Sequence, residues 1–140
     1  MDPYDKYDLE HEEMYSKTSI IEGEISAVMD FELLDRSFEL ISSPTRVFRT
    51  HDIHEFIIVG DVHSDTCQTV TGATYVGFVE ITSGGLAVVG NSVLVNGEVI
   101  GEIVGFDRTH CPNHLNVVCS GERITGEGRG ICCGDPVQIC

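Results

Sequence analysis

With 140 residues, 41% of them hydrophobic and 22% charged, the chain is long enough to bury one core without a metal or disulfide staple. A net charge of −15, from 23 acidic and 8 basic residues, sets it against phosphate backbones, and no Lys/Arg cluster offers counterion release, so nucleic acid is excluded as an expected partner. No apolar run nears the roughly 20 residues that cross a bilayer. The opening MDPYDKYDLEHEEMY lacks the charged-then-apolar order of a secretory signal, so no membrane contact and a cytoplasmic location are expected.

Residues 1–17 carry Asp2, Asp5, Asp8, Glu10, Glu12 and Glu13 with three tyrosines and few aliphatics. Such a segment buries little, so it is expected to be an acidic, mobile or loosely docked arm ahead of a single domain over 18–140. Its tyrosines and Met14 suit the surface of a neighbouring copy, and a homo-oligomer is expected. From Ser19, SIIEGEISAVMDFELLD alternates loosely and fits either strand or short helix. FELISSPTRVF reads as two extended pieces separated by Ser42, Ser43 and Pro44. EFIIVGD is a β-branched run expected to end at Gly60 and Asp61. HSDTCQTVTG reads as polar loop, YVGFVEI as strand, and Ser83, Gly84 and Gly85 as a turn.

The clearest signal is Asn96-Gly97 between VLV and EVIGEIVGF, a hairpin turn whose two positions both favour positive φ. Gly101 and Gly105 in its second strand predict bulges where a small sheet curls. LNVVC continues as strand, GERITGEGRG as turns, and ICCGDPVQIC as strand around Gly134, Asp135 and Pro136. Helical periodicity is nowhere sustained beyond residue 40. The fold class expected is therefore all-β, a small barrel of six to eight strands, and VGNSVLVNGEVIGEIVGF resembles the strand–turn–strand of the second domain of translation GTPases. That likeness concerns fold only.

Chemistry concentrates in two clusters, THDIHEF and FDRTHCPNHLNVVC, with His63, Asp61 and Asp65 shortly after the first. His110 and His114 have the i, i+4 spacing of a metalloprotease helix, but Pro112 and Asn113 make the segment a loop and the HExxH glutamate is missing. A loop over Asp107–Asn113 then delivers His110. The following strand places His114, Asn116 and Val118 on one face and Leu115, Val117 and Cys119 on the other. In the first cluster His54 faces with Phe56 and Ile58, and Glu55 with Ile57 and Val59. If a barrel mouth brings the clusters together, two chemistries fit. His51, His54, His110 and His114 could bind a divalent metal such as Zn, Fe or Mn. Alternatively His54, Glu55, His110 and His114 could move protons without one, with Asn116, Arg108 and Asn113 binding substrate. Structural or surface histidines are the third reading.

Other features point to less. Glu80 alternates with apolar neighbours and is expected to face solvent, and Arg108 to pair with Asp107 or a nearby acid. GEGRG lacks a P-loop lysine and reads as a turn. Six cysteines without a CxxC pair support neither a zinc ribbon nor a thioredoxin-like motif. Cys119 and Cys133 are expected to pack as small apolar residues, and Cys132, Cys133 and Cys140 remain alternative metal or redox groups.

GFVEITSGGLAVVGNSV and IGEIVGFDRTHCPNHLNVV resemble a family of small bacterial proteins sharing patterns like GFxE…GG…VG and GFDxxHxPNHxN. The likeness is strongest at Phe106, Asp107, His110, Pro112, Asn113, His114 and Asn116, and extends to His51, His54 and Glu55. It implies a compact β-barrel and no particular reaction. The expected function is a small-molecule enzyme of specialised metabolism, of isomerising, cyclising, dehydrating or lyase type. The alternative is a non-enzymatic binding or accessory domain that engages a partner protein.

Overall fold

A computed structural model describes residues 20–62 and 69–140 of the chain. The acidic arm expected at 1–17 lies outside them, as do His63, Asp65 and Cys67. All regular structure among the described residues is β: β1 (Ile21–Val28), β2 (Glu32–Glu39), β3 (Thr45–Phe48), β4 (Ile53–Val62), β5 (Thr69–Ser83), β6 (Gly85–Val88), β7 (Ser92–Val95), β8 (Glu98–Asp107), β9 (Asn116–Ser120) and β10 (Pro136–Ile139). The ambiguous stretch after Ser19 is β1 and β2. In β1, Ile21, Gly23 and Ile25 are buried while Glu22, Glu24 and Ser26 are exposed, the period of two of a half-buried strand.

Two sequence expectations are corrected. β4 does not stop at Gly60 but continues to Val62, because Asp61 and Val62 pair with Thr71 and Val70 of β5. For the same reason Thr69–Gly72, read as loop, begins the long strand β5. At the C-terminal end only Pro136–Ile139 is strand; Ile131–Cys133 is not.

Pairing runs β1-β10-β7-β8-β9-β4-β5, and β5 pairs again with β1, so the hydrogen bonding returns to its start. β2 pairs β5 beyond the end of β1, and β3 and β6 form a separate two-stranded sheet. Each pair in this ring is antiparallel except β4–β9, which is parallel. At the β7–β8 turn Asn96 has φ 53° and Gly97 φ 79°, as the Asn-Gly dipeptide predicts. Register shifts occur between Val93 and Leu94 opposite Gly101, and between Ile103 and Gly105. A side chain at Gly105 would stand 2.6 Å from Leu40 Cδ1, so the bulge there also makes room for the segment that crosses the sheet.

Two apolar clusters lie on opposite sides of this sheet. The larger draws on every strand of the ring, including Ile25, Phe56, Val79, Val93, Phe106, Val117 and Val137, and is therefore its interior. The smaller joins Ile57 and Val59 of β4, Ala73 and Tyr75 of β5 and Val118 of β9 to Phe38 and Leu40, which cover them from outside. Burying each such side chain contributes about 1.5–3 kcal/mol. β4 and β9 are thus buried on both sides, which explains why FIIV and LNVVC read as nearly unbroken apolar runs.

Candidate functional site

His54 and Glu55 are consecutive on β4 and so project to opposite sides of the sheet. Both are buried, at 8% and 5% exposure. Glu55 lies on the outer side with Ile57 and Val59; His54 lies on the inner side with Phe56 and Ile58.

On the outer side, strand register places Phe78 of β5 beside Glu55, Glu55 beside Asn116 of β9, and Asn116 beside Asp107 of β8. Cross-strand partners share a face, so these residues form one row across four strands. Asn116 and Asp107 are buried as well. Asn116 Nδ2 donates to Asp107 Oδ2 at 2.8 Å, and Thr109 Oγ1 donates to Asp107 Oδ1 at 2.8 Å. Asn116 Oδ1 is buried with no hydrogen-bond partner, an arrangement that costs about 1–3 kcal/mol.

His114 precedes β9 in phase with Asn116 and stands on the same face. The backbone N–H of Glu55 donates to Leu115 O at 3.0 Å, so the parallel β4–β9 ladder fixes the imidazole beside the carboxylate. His114 Nε2 is 3.7 Å from Glu55 Oε1, with both side chains about nine-tenths buried. The Phe78 ring meets His114 edge-on at 5.0 Å, and His110 stacks on it at 5.0 Å and 28°. Asn113 Nδ2 is 3.0 Å from His114 Nδ1; an amide nitrogen only donates, so Nδ1 accepts and the neutral ring carries its proton on Nε2, toward Glu55. Burial, and then the charge of His110, lower the His114 pKa below its ordinary value. The segment 109–113 is a turn, with Cys111 N donating to Arg108 O at 3.0 Å and His114 N to His110 O at 3.2 Å, so the i, i+4 histidines do meet, but across a turn.

On the inner side, His54 packs its ring 4.6 Å from that of Phe48 and has Nε2 3.5 Å from Asp52 Oδ2. That spacing makes an electrostatic contact only; both ring nitrogens are buried without a hydrogen-bond partner. Burial lowers the His54 pKa, partly opposed by Asp52. Asp52 Oδ2 accepts from Arg49 N at 2.9 Å. A cleft of about 510 Å³ lies here, lined by Arg46, Val47, Arg49, Asp52, His54 and Leu86 among others.

The expected metal set of His51, His54, His110 and His114 does not assemble. His51 is exposed, 3.7 Å from Glu80, and His54 is separated from His114 by the strand that bears it. Among the described residues no group of three or more His, Cys, Asp or Glu side chains is placed to hold a metal ion. Of the residues expected to bind substrate, Asn116 is in the buried row, Asn113 holds His114, and Arg108 is exposed with no ion pair among the described residues. Asp107 bonds to Asn116 and Thr109 rather than to Arg108.

Cys119 is buried and its thiol is pushed up to about 12, which makes it inert. Cys111, Cys132, Cys133 and Cys140 are exposed free thiols. Cys133 does not pack as expected, because the Cys132–Asp135 turn, closed by Asp135 N donating to Cys132 O, carries it to the surface. Sequence reasoning missed Asp107 as a buried partner and Arg46, Arg49 and Asp52 as neighbours of His54. RVFRTHDIH held the second signal, since it contains two of the eight basic residues of an acidic chain.

No helix among the described residues is long and apolar enough to cross a membrane. No curated protein and no solved structure matches the chain. A family model matches residues 15–140, which include every strand and every site residue described above, and the chain therefore belongs to the Family of unknown function (DUF6917).

Proposed function

We propose that the protein is a small-molecule enzyme of acid–base type, built on a small β-barrel, in which Glu55 takes a proton from carbon and neutral His114 donates a hydrogen bond to the oxygen that becomes negative. The ring of strand pairings supports the barrel reading, with β2 packed on its outside. The buried Glu55–His114 pair carries the chemical reading. At 3.7 Å it is longer than a direct hydrogen bond, and His114 Nε2 is buried with no hydrogen-bond partner, which leaves an unsatisfied ring nitrogen beside the carboxylate. A carboxylate base beside a neutral imidazole donor is a combination suited to enolisation. The carboxylate removes a proton next to a carbonyl, the His114 Nε2–H stabilises the enolate oxygen, and the proton returns to the same or a neighbouring carbon. Isomerisation, dehydration and lyase reactions share this first step. His110 and Asn113, both exposed, flank His114 on its solvent side and orient it.

Proton abstraction leaves an isotopic mark that can be detected before the substrate is identified. Full-length protein incubated in D₂O with a small-molecule extract is expected to place deuterium beside a carbonyl in at least one compound, read by mass spectrometry and NMR. Glu55→Gln should lower that exchange by about 10²–10⁴-fold. No protein-dependent label, or full labelling by a folded Glu55→Gln variant, would sink the reading. A second reading, a partner-binding domain, is favoured by Phe31, Leu33 and Leu34, which are 44%, 38% and 70% exposed at β2. Substituting Leu34→Glu should then abolish association while sparing deuterium exchange.

A further inference from the structure

We infer that the cleft between β3 and the start of β4 binds a small organic anion, a carboxylate or phosphate ester with a short apolar body, gripped by Arg46 and Arg49 with His54 at its wall. The inference does not rest on the Glu55–His114 chemistry, which lies on the other side of β4.

Charge placement is the first support. The chain has 23 acidic residues against 8 basic, and its field opposes anions generally. Two of those eight bases nevertheless stand in one cleft, and neither has a carboxylate partner among the described residues. Arg123, by contrast, is paired with Glu32 at 2.7 Å. Arg46 is half-buried, and leaving a guanidinium partly desolvated without an anion is unfavourable unless one arrives. Arg46 alternates with Val47 and shares its strand face with Phe48, whose ring packs on His54, so guanidinium and imidazole are on the same side.

His54 is the second and independent support. Its side chain is nine-tenths buried, lines the cleft, and has both ring nitrogens without a hydrogen-bond partner. A buried imidazole in that state costs about 1–3 kcal/mol for each unsatisfied group. An oxyanion oxygen accepting from the ring N–H would remove much of that penalty. Asp52 keeps the turn before His54 closed, through Arg49 N to its carboxylate and its own N–H to Arg49 O at 2.9 Å. Its negative charge also directs an anionic group away from itself and toward the arginines.

Size and lining fix the rest of the ligand. A volume of about 510 Å³ suits a small metabolite and is far larger than one inorganic ion requires. Val47 and Leu86 also border the cleft and make part of its rim apolar. Guanidinium groups take either carboxylate or phosphate as a bidentate partner, so both heads belong to the class.

The test uses ¹⁵N-labelled full-length protein titrated with benzoate, phenyl phosphate, inorganic phosphate and the uncharged benzamide. Saturable shifts of the Arg46 and Arg49 Nε–Hε signals and of the His54 ring are expected with benzoate or phenyl phosphate at millimolar concentrations. The tighter of the two identifies the preferred head group. Benzamide should leave those signals unmoved, and inorganic phosphate should bind more weakly than phenyl phosphate. Arg46→Gln should weaken binding about tenfold or more, while Arg123→Gln should not change it. The inference is overturned if neither organic anion shifts these signals, if benzamide binds as well as benzoate, or if a folded Arg46→Gln variant keeps its affinity.

Discussion

The two sides of β4 differ in how they treat a buried polar side chain. On the outer side Glu55 stands in a row whose members hold one another: Asn116 bonds Asp107, Thr109 bonds Asp107, and His114 approaches Glu55 across the parallel ladder. On the inner side His54 lies between the Phe48 ring and the cleft, with Asp52 at 3.5 Å and the charges of Arg46 and His114 acting on it more weakly. Each side leaves buried polar atoms without a hydrogen-bond partner, Asn116 Oδ1 and His114 Nε2 in the outer row and both ring nitrogens of His54 on the inner side, but only the outer row also carries side-chain hydrogen bonds between its members. Adjacent polar letters in a strand are a poor guide to a shared active site, because the pleat sends them apart.

The largest expected effect tests which side carries the fold. Phe56 and Ile57 repeat the inner–outer alternation one step further along, and both are fully buried. Phe56→Ala should cost about 3–5 kcal/mol and Ile57→Ala about 2–4 kcal/mol, measured by urea unfolding. A larger loss at Ile57 would reverse the ranking and make the outer cluster the principal core. Next, Asn116→Leu should cost about 1–3 kcal/mol, because it leaves the buried Asp107 carboxylate short of a donor. The double variant Asp107→Leu/Asn116→Leu should recover most of that loss, since neither partner remains to be satisfied. If it does not recover, the row is a stabilising network rather than a functional one.

The smallest effect is on pH dependence. Both His54 and His114 have pKa values lowered in the folded protein, chiefly by burial. The unfolded chain therefore binds protons more readily. Stability from these groups is fully present above about pH 6.5, the unfolded value, and is lost as pH falls from there through the folded values. Each histidine contributes a slope of at most about 1.4 kcal/mol per pH unit. His54→Gln and His114→Gln should each flatten the profile between neutral and mildly acid pH. An unchanged profile in His54→Gln would mean that the inner ring finds a proton partner after all. Saturating the cleft with benzoate should alter the His54 part of the slope and leave that of His114 in place.

Much of this was legible locally. Asn96-Gly97 required a tight turn with positive φ and forms one. The division of His114, Asn116 and Val118 from Leu115, Val117 and Cys119 holds, as does that of His54 from Glu55. Exclusion of a metalloprotease helix by Pro112 holds too, since 109–113 is a turn. Convergence of the two clusters was open in the sequence and is partial in the structure: Glu55 of the first meets His114 of the second, while His54 projects from the other side of β4. Strand ends were misplaced at Gly60 and Thr69 because a long partner strand carries pairing through residues that locally signal a turn.

By itself, then, the sequence determined an all-β chain, its tightest hairpin, and which residues of each strand travel together. Those properties depend on neighbours a few positions away, through allowed φ and ψ values and the period of the pleat. Only the tertiary structure decided which side of each strand faces the enclosed core, that Phe38 and Leu40 bury the other side as well, and that Glu55 meets His114 while Arg46 and Arg49 gather at His54. A period of two defines two faces equally well; choosing between them takes partners distant in the chain, whose position no local pattern encodes.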